Sequence, residues 1–507
     1  MNAPNDDEKT LQALGYTQEL QRGMNAFSNF AISLSIICIL AGGVTSFHVG
    51  LCSVGGASIG LGWPLATLFA LVVALTMGQV ASAFPTAGGL YHWASILGGR
   101  GWGWATAWFN LAGLITVLAA INVGAYNFVA DGLGFDREKA GIVVQTAIVL
   151  LITASQALFN HRGIRVTTRL TDFSGYWILF VALALTATLL ARTASFDFAR
   201  LTTFENYSGL PVPVDDVESV WPKQSNVGWL FLLGLLLPMY TLTGFDASAH
   251  TSEETVGAAQ AVPRGIVRSV LVSGVFGWVM LCAVVLAAPD LRAAATSGGK
   301  AFFTIIDAVV PKWVAIVLYL GIAVGQYLCG LATVTSASRM AFAFARDGGL
   351  PCSERLRWVS PVYRTPVFAI WTVALLSVFF TIYTPVYDTI AATCTIFLYI
   401  SYVLPTALGL KAFGRTWTRM GPWHLGPLYR PLAVVCVLGC SLLFVIGVQE
   451  PNRIALWTVL GMTATILMVW FGHARNRFPG PPAIDVSFRP LSGKPPSPPY
   501  SGERGRG

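Results

Sequence analysis

The chain has 507 residues, of which 54% are hydrophobic and only 11% are charged. Its mean hydropathy of +0.63 is far above that of a water-soluble domain and indicates a protein that crosses the bilayer several times. The net charge of +8 does not indicate a nucleic-acid partner, because the basic residues are divided among short segments between apolar runs.

Cysteines and catalytic motifs give no sign of metal or nucleophile chemistry. The eight cysteines are scattered without C-x-x-C spacing, which fits small packing residues and neither a metal site nor a disulfide framework. The chain contains no H-E-x-x-H, G-x-S-x-G or P-loop pattern. We therefore expect no enzyme activity, no metal and no cofactor.

Apolar runs of spanning length predict twelve membrane helices, since a span needs about 20 largely apolar residues. Spans 1 to 12 cover about residues 27–50, 60–84, 103–130, 141–160, 172–192, 227–250, 265–289, 312–345, 367–384, 386–410, 430–449 and 454–473. Most of the 32 Lys and Arg residues fall on the side of the bilayer that also holds both chain ends. By the positive-inside rule, both ends are expected in the cytoplasm.

The spans divide the chain into a membrane domain, residues 26–475, and two cytoplasmic tails. The N-terminal tail covers 1–25. The C-terminal tail, 476–507, is rich in Pro, Gly and Ser and is expected to be disordered, because it cannot bury a core. Between spans, 193–226 is expected to form an ordered outer loop, and 301–307 a short surface helix.

Two spans carry residues that interrupt a membrane helix. Span 1 contains Ala41-Gly42-Gly43-Val44-Thr45-Ser46, and span 6 contains Thr243-Gly244-Phe245-Asp246. An Asp at a helix centre is disfavoured by roughly 2.5 to 3.5 kcal/mol, and irregular backbone is tolerated only where it lines a polar cavity. The alternatives are close helix packing for the paired glycines and helix capping for the Asp.

The two interruptions are five spans apart, so the interrupted helices cross the bilayer in opposite directions. Matched breaks in two halves of opposite topology predict a transporter built from inverted repeats, with its site between the broken helices. The repeats cover about 27–192 and 227–410, and two further helices lie within 430–473.

Three stretches resemble the amino acid/polyamine/organocation permeases. Residues 79–93, QVASAFPTAGGLYHW, are similar to the end of the family's second helix, and 336–351, SASRMAFAFARDGGLP, to the end of its eighth. Residues 244–255, GFDASAHTSEET, resemble its sixth helix, especially in the amino acid/choline transporter branch that includes 4-aminobutyrate and choline permeases. The resemblance covers about 15–475 and implies an all-α, leucine-transporter-like fold with alternating access.

The resemblance also implies a substrate site. The segment from Ala41 through Gly42, Gly43 and Val44 to Thr45 would bind a substrate carboxylate through backbone N–H groups, a role that suits the start of a half-helix. Further implied substrate contacts are Tyr240 as a closing aromatic, Gly244, Phe245 and Asp246 beside the substrate amine, and Thr333.

Asn122 on span 3 is a further candidate contact, and interhelical hydrogen bonding is its alternative. Thr335 and Ser336 fall near the hydroxyl pair that binds sodium in sodium-coupled relatives. Span 5 lacks the Lys that replaces sodium in other relatives, so the coupling ion, proton or sodium, stays open. Asp172 is expected to be the N-cap of the span-5 helix.

The sequence therefore predicts a secondary active permease of the plasma membrane that moves an amino acid or a related amine or zwitterion. Coupling to an ion gradient or exchange is expected, because no nucleotide-binding motif is present. A choline, 4-aminobutyrate or polyamine permease, and a non-transporting amino-acid sensor of the same fold, are the alternatives. The expected partners are the small substrate and the lipid bilayer. No nucleic acid is expected, and the oligomeric state stays open.

Overall fold

A computed structural model of the protein describes residues 6–212, 219–384 and 386–482, without the side chain of Glu138. Within these ranges the chain is helical and contains no named β-strand. Parts of the predicted tails (1–5 and 483–507) and of the predicted outer loop (213–218) lie outside the described residues.

Helices account for nearly all of the first half. They are α1 (Asp6–Ala13), α2 (Ala26–Ile36), α3 (Phe47–Val54), α4 (Trp63–Ala83), α5 (Leu90–Gly98), α6 (Arg100–Gly132), α7 (Arg137–His161) and α8 (Ile164–Arg192). Wider π-helical turns, Ile39–Gly43 and Ser58–Gly62, precede α3 and α4, and a 3₁₀ turn, Phe198–Leu201, follows α8.

The second half repeats this order. Its helices are α9 (Val227–Gly234), α10 (Leu236–Thr241), α11 (Ala247–His250), α12 (Ala258–Ala287), α13 (Leu291–Ala295), α14 (Ala301–Val309), α15 (Lys312–Arg346), α16 (Ser353–Leu356), α17 (Val367–Tyr383) and α18 (Tyr387–Ala412). The last helices are α19 (Tyr429–Gly447), α20 (Arg453–Val469) and α21 (Arg475–Arg477). Shorter turns are the 3₁₀ turns Ser252–Glu254, Gly298–Lys300 and Gly426–Leu428 and the π turn Trp470–Ala474.

Ten of these helical stretches are long and apolar enough to cross a membrane. The other two predicted spans, 6 and 9, correspond to the shorter apolar helices Val227–Thr241 and Val367–Tyr383. The prediction of an all-α polytopic membrane protein is confirmed. The longest helices, α6 and α15 with 33 and 35 residues, contain no proline, so each satisfies its own backbone hydrogen bonds along the span.

Helices five spans apart pack against each other. Helix α4 packs on α12, α6 on α15, and α7 on α17, which pairs spans 2 with 7, 3 with 8 and 4 with 9. Helix α6 also packs on α18, and its counterpart α15 packs on α8. These reciprocal contacts are what two inverted five-helix repeats require.

Span 1 is interrupted one turn earlier than predicted. Helix α2 ends at Ile36, and Cys38, with ψ of 102°, breaks it before the π turn. The amides of Ala41 and Gly42 both donate to the Cys38 carbonyl oxygen at 2.9 Å. The predicted break at 41–46 is corrected to begin at 37–38, because the backbone of Cys38 leaves the helical conformation before the glycines are reached.

Span 6 is interrupted where predicted. Helix α10 ends at Thr241 and α11 begins at Ala247, so residues 242–246 leave the helix. Gly244 has φ of +86°, which residues with a side chain rarely adopt. A Cβ there would lie 2.2 Å from Cγ2 of Ile36 at the end of α2. The two interrupted spans therefore meet at this glycine.

The first and last segments that the structure describes pack on one face of the helix bundle, which we call the tail face. Tyr16 and Phe478 are both buried beside the start of α5. A Cβ on Gly15 would lie 2.5 Å from Pro482, so the two ends also meet each other. The packed domain thus extends beyond the predicted boundaries at residues 26 and 475. The opposite face is called the far face.

The connection between the halves packs over the far face where it is described. The indole of Trp221 donates to the carbonyl oxygen of Val49 at 2.8 Å. Helix α14 contains the short helix predicted at 301–307. One prediction is wrong: Asp172 does not cap span 5. Helix α8 begins at Ile164, so Asp172 lies in its third turn and accepts a hydrogen bond from Ser28 Oγ at 3.0 Å.

Replacing Gly244 with alanine is expected to destabilise the protein. A side chain at positive φ costs about 1–2 kcal/mol, and its contact with Ile36 adds to that cost. Thermal unfolding of the detergent-solubilised protein should therefore occur several degrees lower. The matched control is Gly461→Ala in α20, where a Cβ meets nothing within 4 Å. Equal melting temperatures for the two variants would contradict the conclusion that the interruption of span 6 requires glycine at position 244.

Candidate functional site

A cavity of about 340 Å³ opens on the far face, between the second half of span 1 and the start of α18. Its wall includes Thr45, His48, Asn127, Tyr387 and Asp388. We call this cavity the vestibule. It is bordered by α14 and by the connection between α6 and α7, which are far-face elements, so it opens away from the two chain ends.

A smaller cavity of about 50 Å³ shares Asp388 with the vestibule. Ser46 and Tyr240 line it, so it reaches both interrupted spans. The side chain of Asp388 is 45% exposed and lies in the first turn of α18, where the helix dipole favours a negative charge. Nε2 of His48 lies 3.3 Å from this carboxylate. Asp388 is therefore the carboxylate common to both cavities.

Hydroxyl groups and an aromatic pair form the floor between the two cavities. The hydroxyl of Tyr387 lies 2.6 Å from Thr45 Oγ1 and 3.0 Å from Ser46 Oγ. The ring of Tyr240 stands perpendicular to that of Tyr387, with 6.0 Å between the ring centroids. A small solute on this floor would meet hydroxyl donors on one side and an aromatic surface on the other.

The structure brings some of the predicted site residues to these cavities. Val44 and Thr45 line the vestibule, and Tyr240 lines the smaller cavity. Gly42 lies behind them, against span 6: a Cβ there would lie 2.9 Å from the Cα of Thr241. A Cβ on Gly43 would make only an ordinary contact, 3.5 Å from Trp63.

The predicted residues of span 6 lie deeper. Phe245 is fully buried, and its ring lies 4.9 Å from that of Tyr402. Asp246 is also fully buried and lines neither cavity. It accepts hydrogen bonds from Tyr402 at 2.8 Å and from Asn110 at 2.9 Å, and His250 lies 3.2 Å away. The backbone amide of Gly244 donates to the same Tyr402 hydroxyl at 3.0 Å.

Two predicted substrate contacts point into helix packing instead. Asn122 exchanges two hydrogen bonds of 3.0 Å with Gln156 on α7 and donates to Thr153 at 2.8 Å. This is the interhelical bonding that was its alternative. Thr333 is fully buried and donates to the Cys329 carbonyl oxygen of its own helix at 2.9 Å. Neither residue lines the two cavities.

The predicted ion-site hydroxyls do not share a partner. Thr335 donates to Asn160 on α7 at 2.7 Å. The hydroxyl of Ser336 is buried and has no hydrogen-bond partner among the described residues. An ion site at this pair would require Thr335 to leave Asn160.

Sequence reasoning missed Tyr387, Asp388 and His48. Asp388 stands at the start of a predicted span, where a carboxylate is commonly a helix cap, so its position alone does not indicate a cavity. Asn110 and Tyr402, which both donate to Asp246, lie in two other spans. These contacts join distant parts of the chain, and only the fold brings them together.

Comparison with known proteins agrees with this architecture. The profile of a family described as "Amino acid permease" matches residues 24–471, nearly the whole chain. The chain belongs to this amino acid permease family. It is therefore a multi-pass membrane transporter and not an enzyme. Its described residues contain no group of His, Cys, Asp and Glu that could hold a metal ion.

Relatives of the permease are named as permeases or transporters. It is 32% identical to "Amino-acid permease BAT1" of Arabidopsis thaliana, over 93% of this chain and 95% of the relative. It is 28% identical to the "GABA-specific permease" of Saccharomyces cerevisiae, over 88% and 79%, respectively. It is 26% identical to a "Putative polyamine transporter" of Candida albicans, over 94% and 89%.

The tail face of the permease is closed by two buried ion pairs. Arg339 donates to both carboxylate oxygens of Glu254 at 2.9 and 3.0 Å, and both side chains are fully buried. Arg346 donates to both oxygens of Glu253 at 2.8 and 2.9 Å. Burial raises the pKa of the Glu253 carboxyl, but the Arg346 guanidinium, the Ala87 amide and His92 together outweigh burial and hold that pKa below its usual range.

The N-terminal segment is part of this seal. The hydroxyl of Tyr16 donates to Asp347 Oδ2 at 2.9 Å, and Nε2 of His92 lies 3.1 Å from the same oxygen. The Arg346 guanidinium lies 4.0 Å above the Tyr16 ring. Burial opposes ionisation of Asp347, yet the interactions with His92, Arg346 and Tyr16 lower its pKa overall. Tyr16, in the N-terminal segment, thus belongs to the network that blocks the tail face.

Breaking one partner of the Arg339–Glu254 pair is expected to be strongly destabilising. Glu254→Gln leaves a fully buried guanidinium without its counter-charge, which costs about 3–5 kcal/mol. The double variant Glu254→Gln/Arg339→Met should be more stable than Glu254→Gln alone, because it removes the unpaired charge. Melting temperatures of wild type, of the single variants Glu254→Gln and Arg339→Met, and of the double variant measure this coupling. Additive losses in the double variant would contradict a buried pair.

Proposed function

We propose that this permease is a secondary active transporter that moves an amino acid across the plasma membrane by alternating access. The observation that supports it most is the asymmetry of the two faces. A cavity reaches both interrupted spans from the far face, whereas buried ion pairs close the tail face. We place the tail face in the cytoplasm, which puts the vestibule outside the cell.

The substrate is placed on the floor shared by the two cavities. Its carboxylate meets the hydroxyls of Thr45, Ser46 and Tyr387 and the start of α3, where a helix N-terminus favours an anion. The predicted site segment Ala41 to Thr45 is retained in this proposal, but its amides at Ala41 and Gly42 already donate to Cys38. For Ala41 and Gly42 we therefore propose a structural role: their amides stabilise the interruption of span 1 and do not bind the substrate.

The substrate amine is placed at Asp388 and not at Asp246. Asp388 is half-exposed to the cavities, whereas Asp246 is fully buried behind its three partners. Among the described residues, the other carboxylate on the vestibule wall is Asp131, which is paired with Arg137 at 2.8 Å. Asp388 has only His48 beside it, at 3.3 Å, among the described ion-pair partners, and it faces both cavities next to one cluster of hydroxyls. This arrangement suits a substrate with a single ammonium and a single carboxylate. This favours amino acids, including 4-aminobutyrate, over polyamines.

Reconstituted permease is expected to perform counterflow of at least one labelled amino acid from a panel. Gly42→Val should reduce that counterflow at least ten-fold, because its side chain would occupy the space of Thr241 across the two interrupted spans. Gly43→Ala is the matched control and should keep at least half of the wild-type rate. Size-exclusion profiles verify that both variants are folded. No counterflow of any amino acid or amine by folded wild type would favour the sensor alternative.

Asp388→Asn is expected to weaken substrate binding. Loss of a charge-assisted hydrogen bond of about 1.5–3 kcal/mol raises KM about ten-fold or more. Asp307→Asn is the control, because Asp307 lines neither cavity and instead accepts from Tyr319 at 2.9 Å. Initial rates of uptake over a range of substrate concentrations measure the change. An unchanged KM in Asp388→Asn would remove this carboxylate from the site.

A further inference from the structure

Asp246 and His250 form a buried acid–base pair directly after the interruption of span 6. The two residues are one helical turn apart, and both side chains are fully buried. Nε2 of His250 lies 3.2 Å from Asp246 Oδ2. Nδ1 of His250 lies 3.1 Å from the carbonyl oxygen of Ala87, in the connection between α4 and α5. Both ring nitrogens therefore face an oxygen.

This arrangement requires one proton more than a neutral histidine and a carboxylate possess. A carbonyl oxygen only accepts, so Nδ1 of His250 must carry a hydrogen to bond Ala87. The contact between Nε2 and Asp246 then also needs a proton, held either by the imidazole or by the carboxyl group. If that proton is absent, two lone pairs face each other at one of the two contacts, and that hydrogen bond is lost.

The groups around the pair supply no competing positive charge. Asn110 on α6 donates to Asp246 and to Ser401 on α18, and Tyr402 on α18 donates to the other Asp246 oxygen. Among the described residues no Lys or Arg lies within ion-pair distance of Asp246. The histidine is thus the one cationic partner that this carboxylate has in the structure, and its charge depends on a proton.

We propose that Asp246 and His250 form a proton-binding site, and that transport by the permease is coupled to movement of this proton. The proposal rests on the proposed transport function and goes beyond it by assigning the coupling ion and the residues that hold it. One proton is bound when the far face is open, is shared between Nε2 of His250 and the Asp246 carboxylate, and is released on the tail-face side. No covalent bond other than the bond to this proton forms or breaks.

A single residue, Ala87, links the pair to the seal of the tail face. The carbonyl oxygen of Ala87 accepts from His250, and the amide of the same residue donates to Glu253 at 3.1 Å. Glu253 is the partner of Arg346 in the buried ion pair. Loss of the proton removes one of the two His250 contacts and so frees either Ala87 or Asp246. Binding or loss of the proton therefore changes the contacts of residues that are bonded to the tail-face seal.

The geometry favours a proton over sodium. A sodium site needs several oxygen ligands directed to one point. The expected hydroxyl pair does not supply them, because Thr335 donates to Asn160 on a neighbouring helix. The side chains of Ile36 and Ala332, between the interrupted span 1 and α15, belong to an apolar cluster and offer no oxygen ligand for sodium.

The test uses full-length permease in proteoliposomes that contain a trapped pH-sensitive dye, with ³H-labelled amino acids as the probe. Wild type should acidify the vesicle lumen when amino acid enters, and an inward proton gradient should raise accumulation at least ten-fold without sodium. His250→Gln should lose both effects while still performing counterflow, because exchange needs no net proton movement. His424→Gln, at an exposed histidine, is the control and should behave as wild type.

The outcomes separate the two proposals. If wild type performs counterflow but its net uptake of amino acid does not acidify the lumen, or if accumulation requires a sodium gradient, the proton site is overturned and transport is left intact. Absence of counterflow by folded wild type overturns the transport function itself. If His250→Gln does not fold, Asp246→Asn serves as the second variant, since it keeps the shape of the side chain and removes the carboxylate. Proton coupling that persists in either folded variant overturns the assignment.

Discussion

Backbone groups that leave a helix inside a membrane must find partners within the protein, and this constraint shapes the centre of the permease. The carbonyl oxygen of Phe245, at the break in span 6, accepts from Ser33 on α2 at 2.8 Å. The amide of Gly244 donates to Tyr402 at 3.0 Å, and Ser248 donates to the carbonyl oxygen of Asn29 at 2.7 Å. The tail-side halves of the interrupted spans are therefore bonded to each other.

The opposite halves of these spans lie apart, and the difference gives the molecule its two faces. On the far side, the hydroxyls of Thr45 and Ser46 contact the hydroxyl of Tyr387 on α18, Thr45 also donates to the Ala41 carbonyl oxygen of its own span, and cavities reach this floor. On the tail side, the ion pairs of Glu253 and Glu254 join the bonded halves to α15. Alternating access would require these ion pairs to open while the hydroxyl floor closes over the substrate.

Much of the fold could be predicted from the sequence, because apolar length and glycine position act locally. The run of apolar residues set the twelve spans, and Gly244 marked the interruption of span 6 because only its positive φ fits there. The break in span 1 was misplaced, since Cys38 has no sequence feature that marks it as the residue where the helix ends. Asp172 was predicted to be a cap because the residues just before it are partly polar. Helix α8 includes these residues, since it already begins at Ile164.

The site was less predictable because it depends on pairings between distant spans. Asn122 and Asp246 are both polar residues in apolar surroundings, and the sequence alone does not tell which neighbour each one faces. In the fold, Asn122 is satisfied by Gln156, whereas Asp246 gathers Asn110, Tyr402 and His250. The proton requirement of that last pair follows from the two oxygens that His250 faces, which no spacing in the sequence indicates.

The central claim is that an amino acid occupies the floor between the interrupted spans. The most direct measurement is the rate at which a membrane-impermeant thiol reagent labels Thr45→Cys, in a protein whose single exposed cysteine, Cys352, is replaced by serine. We predict labelling from the far face that a transported amino acid slows several-fold. Labelling that no transported amino acid slows, or a residue 45 that never reacts, would contradict the account.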